Sequence, residues 1–265
     1  MTADFAGRTA LITGAGRGIG RAVAVGLADA GASLILVARS ASQLSQTHDV
    51  AVARGARPGQ VRIVAADLGD EDQRRATAEA AEAGRVDILI NNAAIVEPLG
   101  ATASIPAAGL RRAFEVNVVA PAALTAAVLP GMLAAGWGRI VNVSSGVVAS
   151  PDAMIRANAY ATTKAALEAH TLNLAAELRG TGVTVNVYRP GRVDTAMQAW
   201  IRDQDPGRIG AELHEQFTRW GADGTLITPE HSAAVLIGHL SGDDTGSVWD
   251  VTAARPPLVT TRDDS

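Results

Sequence analysis

Short apolar runs alternate along the chain with longer, helix-compatible stretches. Residues 9–13 (TALIT), 33–38 (SLILVA), 61–65 (VRIVA), 87–90 (DILI), 139–144 (RIVNVS) and 183–187 (VTVNV) are each bounded by Gly, Asn, Asp or Ser. Runs this short and this rich in Val, Ile and Leu suit strands buried on both faces. Helical patterns are expected over 21–30, part of 40–59, 110–135, 158–179 and 229–240, with a last short strand at 246–251. Strand and helix in strict alternation predict a single α/β domain, a mostly parallel sheet with helices on both faces. The span 196–225 breaks the alternation and reads as a lid, with the main domain at 1–252. The tail 253–265 has lost pattern and is expected to be flexible.

Composition limits the chemistry. Apolar residues make up 48% and mean hydropathy is +0.15, so a full core is available. Aromatics are only 3%, so that core must be aliphatic and alanine-rich. A net charge of −4 leaves no basic footprint for nucleic acid. The absence of cysteine removes disulfides, thiolate metal sites and a cysteine nucleophile, and no metal is expected. The N-terminus lacks an apolar export segment, and no apolar run reaches the roughly 18 residues of a membrane span. A soluble cytoplasmic protein with no membrane partner is the expectation.

Two features carry candidate chemistry. The first strand breaks at Gly14-Ala15-Gly16-Arg17-Gly18-Ile19-Gly20, and a helix and a second strand follow. In that strand–turn–helix–strand setting, glycines let backbone amides approach a pyrophosphate at a helix N-terminus. A structural turn is the alternative. The second feature is Tyr160 and Lys164, four apart and so on one face of a helix. Lys164 is the only lysine, the other 22 of the 23 basic residues being arginine. An ammonium beside a phenol is expected to lower its pKa and make it a proton donor or acceptor near neutral pH. An exposed helical pair without function is the other reading of so short a pattern.

Further motifs follow in order. Asp67-Leu68 stands past the third strand, where Asp67 is either a rim carboxylate or a helix N-cap in competition with Asp70. Asn91-Asn92-Ala93-Ala94 follows the fourth strand, Asn117 sits inside an apolar helix, and Ser144-Ser145 closes the fifth strand. Pro190-Gly191-Arg192-Val193-Asp194-Thr195 closes the sixth. Over about residues 7–252 this series resembles the short-chain dehydrogenase/reductase family, in a ketoreductase-like form. The departures are Ala94 for the usual glycine, an insert at about 150–157 before Tyr160, and Val251-Thr252 after Asp250 in place of Asp-Gly-Gly.

The resemblance implies a Rossmann-type doubly wound domain that moves a hydride between a nicotinamide cofactor and a carbonyl or secondary alcohol. It implies a catalytic set of Asn117, Ser145, Tyr160 and Lys164. Tyr160 would be the acid/base, Ser145 would hold the substrate oxygen, Lys164 would bond the nicotinamide ribose, and Asn117 would hold a relay water. Cofactor contacts would come from Gly14, Arg17, Gly18, Ile19, Gly20, Arg39, Ser40, Asp67 (to the adenine amino group), Leu68, Asn91, Ala93, Tyr160, Lys164, Pro190, Gly191, Val193 and Thr195. Position 38 is Ala, so the strand-end carboxylate that accepts from a ribose 2′-OH is missing. Arg39 and Arg17 favour NADP(H), with NAD(H) the alternative. A non-catalytic dinucleotide-binding regulator is a second functional class. Apolar residues on several faces of 110–135 and 158–179 predict a homotetramer, with a dimer as fallback. Few basic residues stand near the ends of these helices, which favours small free ketones over carrier-bound substrates.

Overall fold

The computed structural model describes residues 4–252, and the expected flexible tail at 253–265 lies outside them. In chain order the elements begin β1 (Thr9–Thr13), α1 (Gly18–Asp29), β2 (Ser33–Ala38), α2 (Ala41–Ala53), β3 (Val61–Ala65), α3 (Glu71–Ala83) and β4 (Ile88–Asn91). Then come α4 (Ala107–Phe114), a π-helical turn (Glu115–Val119), α5 (Ala120–Ala135), β5 (Gly138–Val143), α6 (Asn158–Glu177) and β6 (Val183–Arg189). The chain finishes with α7 (Ala196–Arg202), α8 (Pro206–Ile209), α9 (Ala211–Ala222), α10 (Pro229–His239) and β7 (Val248–Asp250).

The seven strands form one sheet in the order β3-β2-β1-β4-β5-β6-β7, and every pairing is parallel. The order reverses between β1 and β4, which opens a crevice at the carboxyl ends of the strands. This is the expected doubly wound α/β domain. Alternate side chains of each strand feed two cores. Ala10, Ile12, Leu34, Leu36 and Ile90 pack with Val23 and Leu27 of α1 and Leu236 of α10. Leu11, Ile35, Leu89, Ile140 and Val185 pack on the other face with Leu124, Val128 and Met132 of α5 and Leu174 of α6. Among the described residues the second has no aromatic residue, and the first is mostly aliphatic with Phe5, Tyr188 and Trp249 added, as the low aromatic content leads one to expect.

Three expectations change. The helix expected as continuous over 110–135 starts at Ala107 and is interrupted by the π-helical turn, whose centre is Asn117. Such insertions need a local reason, and here it is Asn117, whose side chain binds elsewhere in the fold. Second, Ala107–Ala135 taken as one helical unit is long and apolar enough, by length and composition, to cross a membrane. One face of it packs on the sheet through Ala120, Leu124, Val128 and Met132, leaving Leu110, Val119 and Leu133 exposed. The lid, expected to be irregular, is three short helices, α7 to α9. They close a third apolar cluster of Val96, Val147, Ile201, Ile209, Leu213 and Phe217 around Tyr160.

Candidate active site

The carboxyl ends of the strands border a cleft of about 430 Å³ that runs from the glycine turn to the lid. At one end the turn between β1 and α1 is built for close approach. Gly14 has φ +67°, and a Cβ there would stand 2.7 Å from Asn92 Nδ2. A Cβ on Gly20 would run into the Gly14 carbonyl. Asn92 Nδ2 donates to the Thr13 carbonyl at 2.9 Å, and Thr13 Oγ1 accepts from the amides of Asn92 and Ala93 at 2.9 and 3.0 Å. Thus Asn92 staples the turn to the end of β4. Asn91, named from the motif as a cofactor contact, instead lies in the sheet: its Nδ2 donates to Asn142 Oδ1 at 2.8 Å, and Asn142 in turn donates to Thr171 of α6 at the same distance. Consecutive strand residues face opposite ways, and the motif alone does not say which asparagine faces the cleft.

Gly14, Arg17, Gly18, Ile19, Arg39, Ser40, Asp67, Leu68 and Ala93 all line this half of the cleft, while Gly20 is buried beneath the turn. Ala38 lines it too, with no carboxylate at the end of β2. The Ser40 hydroxyl accepts from the Gln43 amide at 3.3 Å and caps α2. Asp67 differs from expectation, because its carboxylate is already engaged. Both oxygens accept from Arg112 Nη2 of α4 at 2.6 Å, and Oδ1 also accepts from the Gly69 amide at 3.0 Å. Partial burial works to raise its pKa, but Arg112, the Gly69 amide and the nearby Arg39 charge outweigh this and hold it below the ordinary carboxylate value. The capping role falls to Asp70, which accepts from the Gln73 amide at the start of α3.

The reacting half of the cleft is assembled by β5, β6 and α6. Tyr160 and Lys164 are buried on the face of α6 that meets the cleft, and Ser145 borders the same space. Lys164 is only 2% exposed, and its Nζ donates to the Val143 carbonyl at 2.7 Å. Burial pulls its pKa down to about 8, opposed by the charge of Glu168. The Tyr160 phenol moves against expectation. Burial raises its pKa, the Ser145 side chain only partly offsets this, and the Lys164 ammonium is 5.8 Å from the ring centroid. Desolvation disfavours the phenolate more than its neighbours favour it. Ser145 also caps the short turn at Gly146–Val148, accepting from the Val147 amide at 3.3 Å. Ser144 turns the other way and donates to Glu168 at 2.7 Å.

Asn117 is fully buried and both of its amide donors are used. It accepts from the Ile95 amide at 2.9 Å, and donates to the Ile95 carbonyl at 2.8 Å and to Thr163 Oγ1 at 3.0 Å. The side chain therefore clamps the segment after β4 to α6, and no donor of this carboxamide remains for the expected relay water. Pro190, Gly191, Val193 and Thr195 line the cleft after β6. Met154 from the insert reaches it, as do Met197, Ile201 and Phe217 of the lid. Arg112 and Asn92 were not anticipated. Their signals in the sequence were only an arginine five residues before Asn117 and the second of two asparagines.

Comparison with known proteins agrees with this geometry. The family model described as short chain dehydrogenase matches residues 8–206. A short chain dehydrogenase of Pseudocercospora fijiensis is 40% identical over 198 residues, covering 73% of this chain and 62% of that protein. The rhamnolipids biosynthesis 3-oxoacyl-[acyl-carrier-protein] reductase of Pseudomonas aeruginosa is 35% identical over 88% of this chain and 89% of its own. The crystal structure of L-sorbose reductase from Gluconobacter frateurii, complexed with NADPH and L-sorbose, superposes with a TM-score of 0.82 at 27% identity, covering 94% and 97% of the two chains. The chain belongs to the short-chain dehydrogenase family, with ketoreductase-like relatives, and its class is an oxidoreductase acting on carbonyl or alcohol groups.

Proposed function

We propose that this protein is an NADP(H)-dependent carbonyl reductase, with Tyr160 as acid/base and a small free ketone, or the matching secondary alcohol, as substrate. The observation that carries the reading is the convergence of Tyr160, Lys164 and Ser145 on one cleft that also contains the glycine turn. The turn suits a pyrophosphate, since the lack of a Cβ at Gly14 and Gly20 lets it fold tightly against Asn92 and the α1 N-terminus opens on the cleft. Arg17 and Arg39 line the same half of the cleft as Ala38, the last residue of β2, an arrangement that accepts a 2′-phosphate.

A bound nicotinamide supplies or receives the hydride. Ser145 holds the substrate oxygen by donating a hydrogen bond where negative charge develops. Tyr160 hands its proton to that oxygen in reduction and takes it back in oxidation. Its raised pKa keeps the phenol protonated at neutral pH, which suits the reductive direction. Lys164 supplies a positive charge next to the phenol and a donor toward the ribose. Met154, Met197, Ile201 and Phe217 give the substrate end an apolar wall. Arg139 offers no carrier-binding patch, since it is buried and bonded to Leu240, Gly138 and Asp243.

The exposed apolar residues Val119 of the π-helical turn, Leu133 of α5 and Leu172 of α6 support a homo-oligomer, a tetramer or else a dimer. Sedimentation at micromolar concentration tests this, and a monomer rejects it. The activity is tested by NADPH consumption over a ketone panel, in wild type and Tyr160→Phe. Turnover in wild type and its near-complete loss in the variant, with cofactor still bound, is the expected result. A variant that keeps about a tenth or more of wild-type kcat, a barrier change of only about 1.4 kcal/mol, rejects the role of Tyr160.

A further inference from the structure

Glu168 lies one helical turn beyond Lys164 on α6 and is only 6% exposed. Its carboxylate accepts three hydrogen bonds. Oε1 accepts from Ser144 Oγ at 2.7 Å and from Arg189 Nε at 2.9 Å, and Oε2 accepts from Arg189 Nη2 at 2.7 Å. These partners come from the elements that carry the site. Ser144 stands between Val143, whose carbonyl takes the Lys164 ammonium, and Ser145. Arg189 closes β6 and precedes Pro190 and Gly191. Stability alone is a poor reason for such a pair, because apolar residues of similar volume hold a core as well or better.

We propose that Glu168 is a positioning residue for the proton-transfer chain: it fastens the catalytic helix to the ends of β5 and β6 and sets a negative charge one turn from Lys164. The charge arrangement gives this its consequence. Lys164 and Arg189 are cationic and Glu168 is the anion between them. Lys164 is faced by Tyr160 and Glu168 from its own helix and by the Val143 carbonyl from β5. Glu168 is faced by Ser144 from β5 and Arg189 from β6, and Arg189 also feels Asp250 of β7. Burial pulls the Lys164 pKa to about 8 while Glu168 holds it up. Without that anion, Lys164 releases its proton at lower pH. Tyr160 also ionises more easily, because the anion on its own helix no longer opposes the phenolate. Both changes move the loss of the protonated acid to lower pH.

This inference rests on the reading that Tyr160 and Lys164 carry the proton, which Tyr160→Phe tests separately. The experiment compares Glu168→Gln, Glu168→Asp and the double variant Glu168→Met with Arg189→Met. Two quantities are measured: the pH profile of reductive kcat with NADPH and a ketone, and the phenolate titration of the cofactor-free protein by ultraviolet difference absorbance, with Tyr160→Phe as blank. The chain has only two tyrosines, so the transition that the Tyr160→Phe blank lacks reports Tyr160, and the one it keeps reports Tyr188, which burial pushes up to about 12.

For Glu168→Gln the expected result is a kcat lowered at least about fivefold with ketone KM changed less than about twofold. The basic limb and the Tyr160 titration both move down by about half a pH unit or more. Glu168→Asp keeps the charge and returns the limb toward wild type. The double variant recovers thermal stability lost in Glu168→Gln, yet its limb stays displaced. A wild-type limb in Glu168→Gln overturns the proposal whatever its stability. If Glu168→Gln does not fold, a wild-type limb in the stable double variant overturns it equally. An unmoved limb with Tyr160→Phe inactive defeats the role of Glu168 alone, while an active Tyr160→Phe defeats the reading beneath it.

Discussion

Lys164 donates its ammonium to the Val143 carbonyl at 2.7 Å while standing 5.8 Å from the centre of the Tyr160 ring. The bond ties α6 to the end of β5, so the role proposed for Lys164 needs the compact shape of the ammonium as well as its charge. A guanidinium is planar and longer and does not fit a closed pocket sized for a point charge. Lys164→Arg is therefore expected to lose at least about a hundredfold in kcat, of order 3 kcal/mol in barrier. Steady-state reduction of any ketone accepted by the wild type checks this, and near-normal kinetics rejects it.

Burying Lys164 also has a stability signature. Its folded pKa is about 8 against an ordinary 10.5. Between these values the unfolded chain binds the proton and the folded chain does not, so this residue makes stability rise with pH across that window. Below about 8 both forms are protonated and the folded state carries the whole burial penalty. Lys164→Met, which removes the charge, should then melt at higher temperature than wild type at pH 7. The gap should close as pH climbs from about 8 to 10.5. Melting curves of the two proteins across that range decide it, and a constant gap contradicts the assigned shift.

Cofactor choice should rest on Arg39. It lines the cleft just past Ala38, where no carboxylate opposes a phosphate. A charge-assisted bond is worth roughly 1.5–3 kcal/mol, so a wild-type preference for NADPH over NADH of at least about tenfold in kcat/KM is expected. Arg39→Ala should reduce that preference. Equal efficiency with both cofactors, or a variant that behaves as wild type, removes the NADP(H) assignment.

The Asp67–Arg112 pair gives a different binding test. Arg112 neutralises a carboxylate that would otherwise face the same end of the cleft as Arg39. Both side chains are about a third exposed, so solvent discounts the pair. Arg112→Ala should weaken the Kd for NADP by roughly three- to tenfold, while Asp67→Asn with Arg112→Ala should recover part of the loss. Titration by intrinsic fluorescence measures both. An unchanged Kd in the single variant shows that Asp67 carries no repulsion.

The order of strands and helices, the glycine turn and the placement of Tyr160 and Lys164 on one helical face were legible from residue spacing. Each depends on local physics: a two- or 3.6-residue period, a positive φ at Gly14, a four-residue helical offset. Tertiary structure alone decided the rest. It selected Asn92 over Asn91 at the cleft, because strand orientation against β1 and β5 settles which side chain points where. Arg112 takes the Asp67 carboxylate across 45 positions of chain, and Glu168 meets Arg189 across 21. The Asn117 carboxamide closes on Ile95 and Thr163 rather than on the cleft. The direction of the Tyr160 pKa shift reversed for the same reason. Spacing puts a cation near the phenol, but how much water the fold removes decides whether burial or charge wins, and burial is a property of the packed whole.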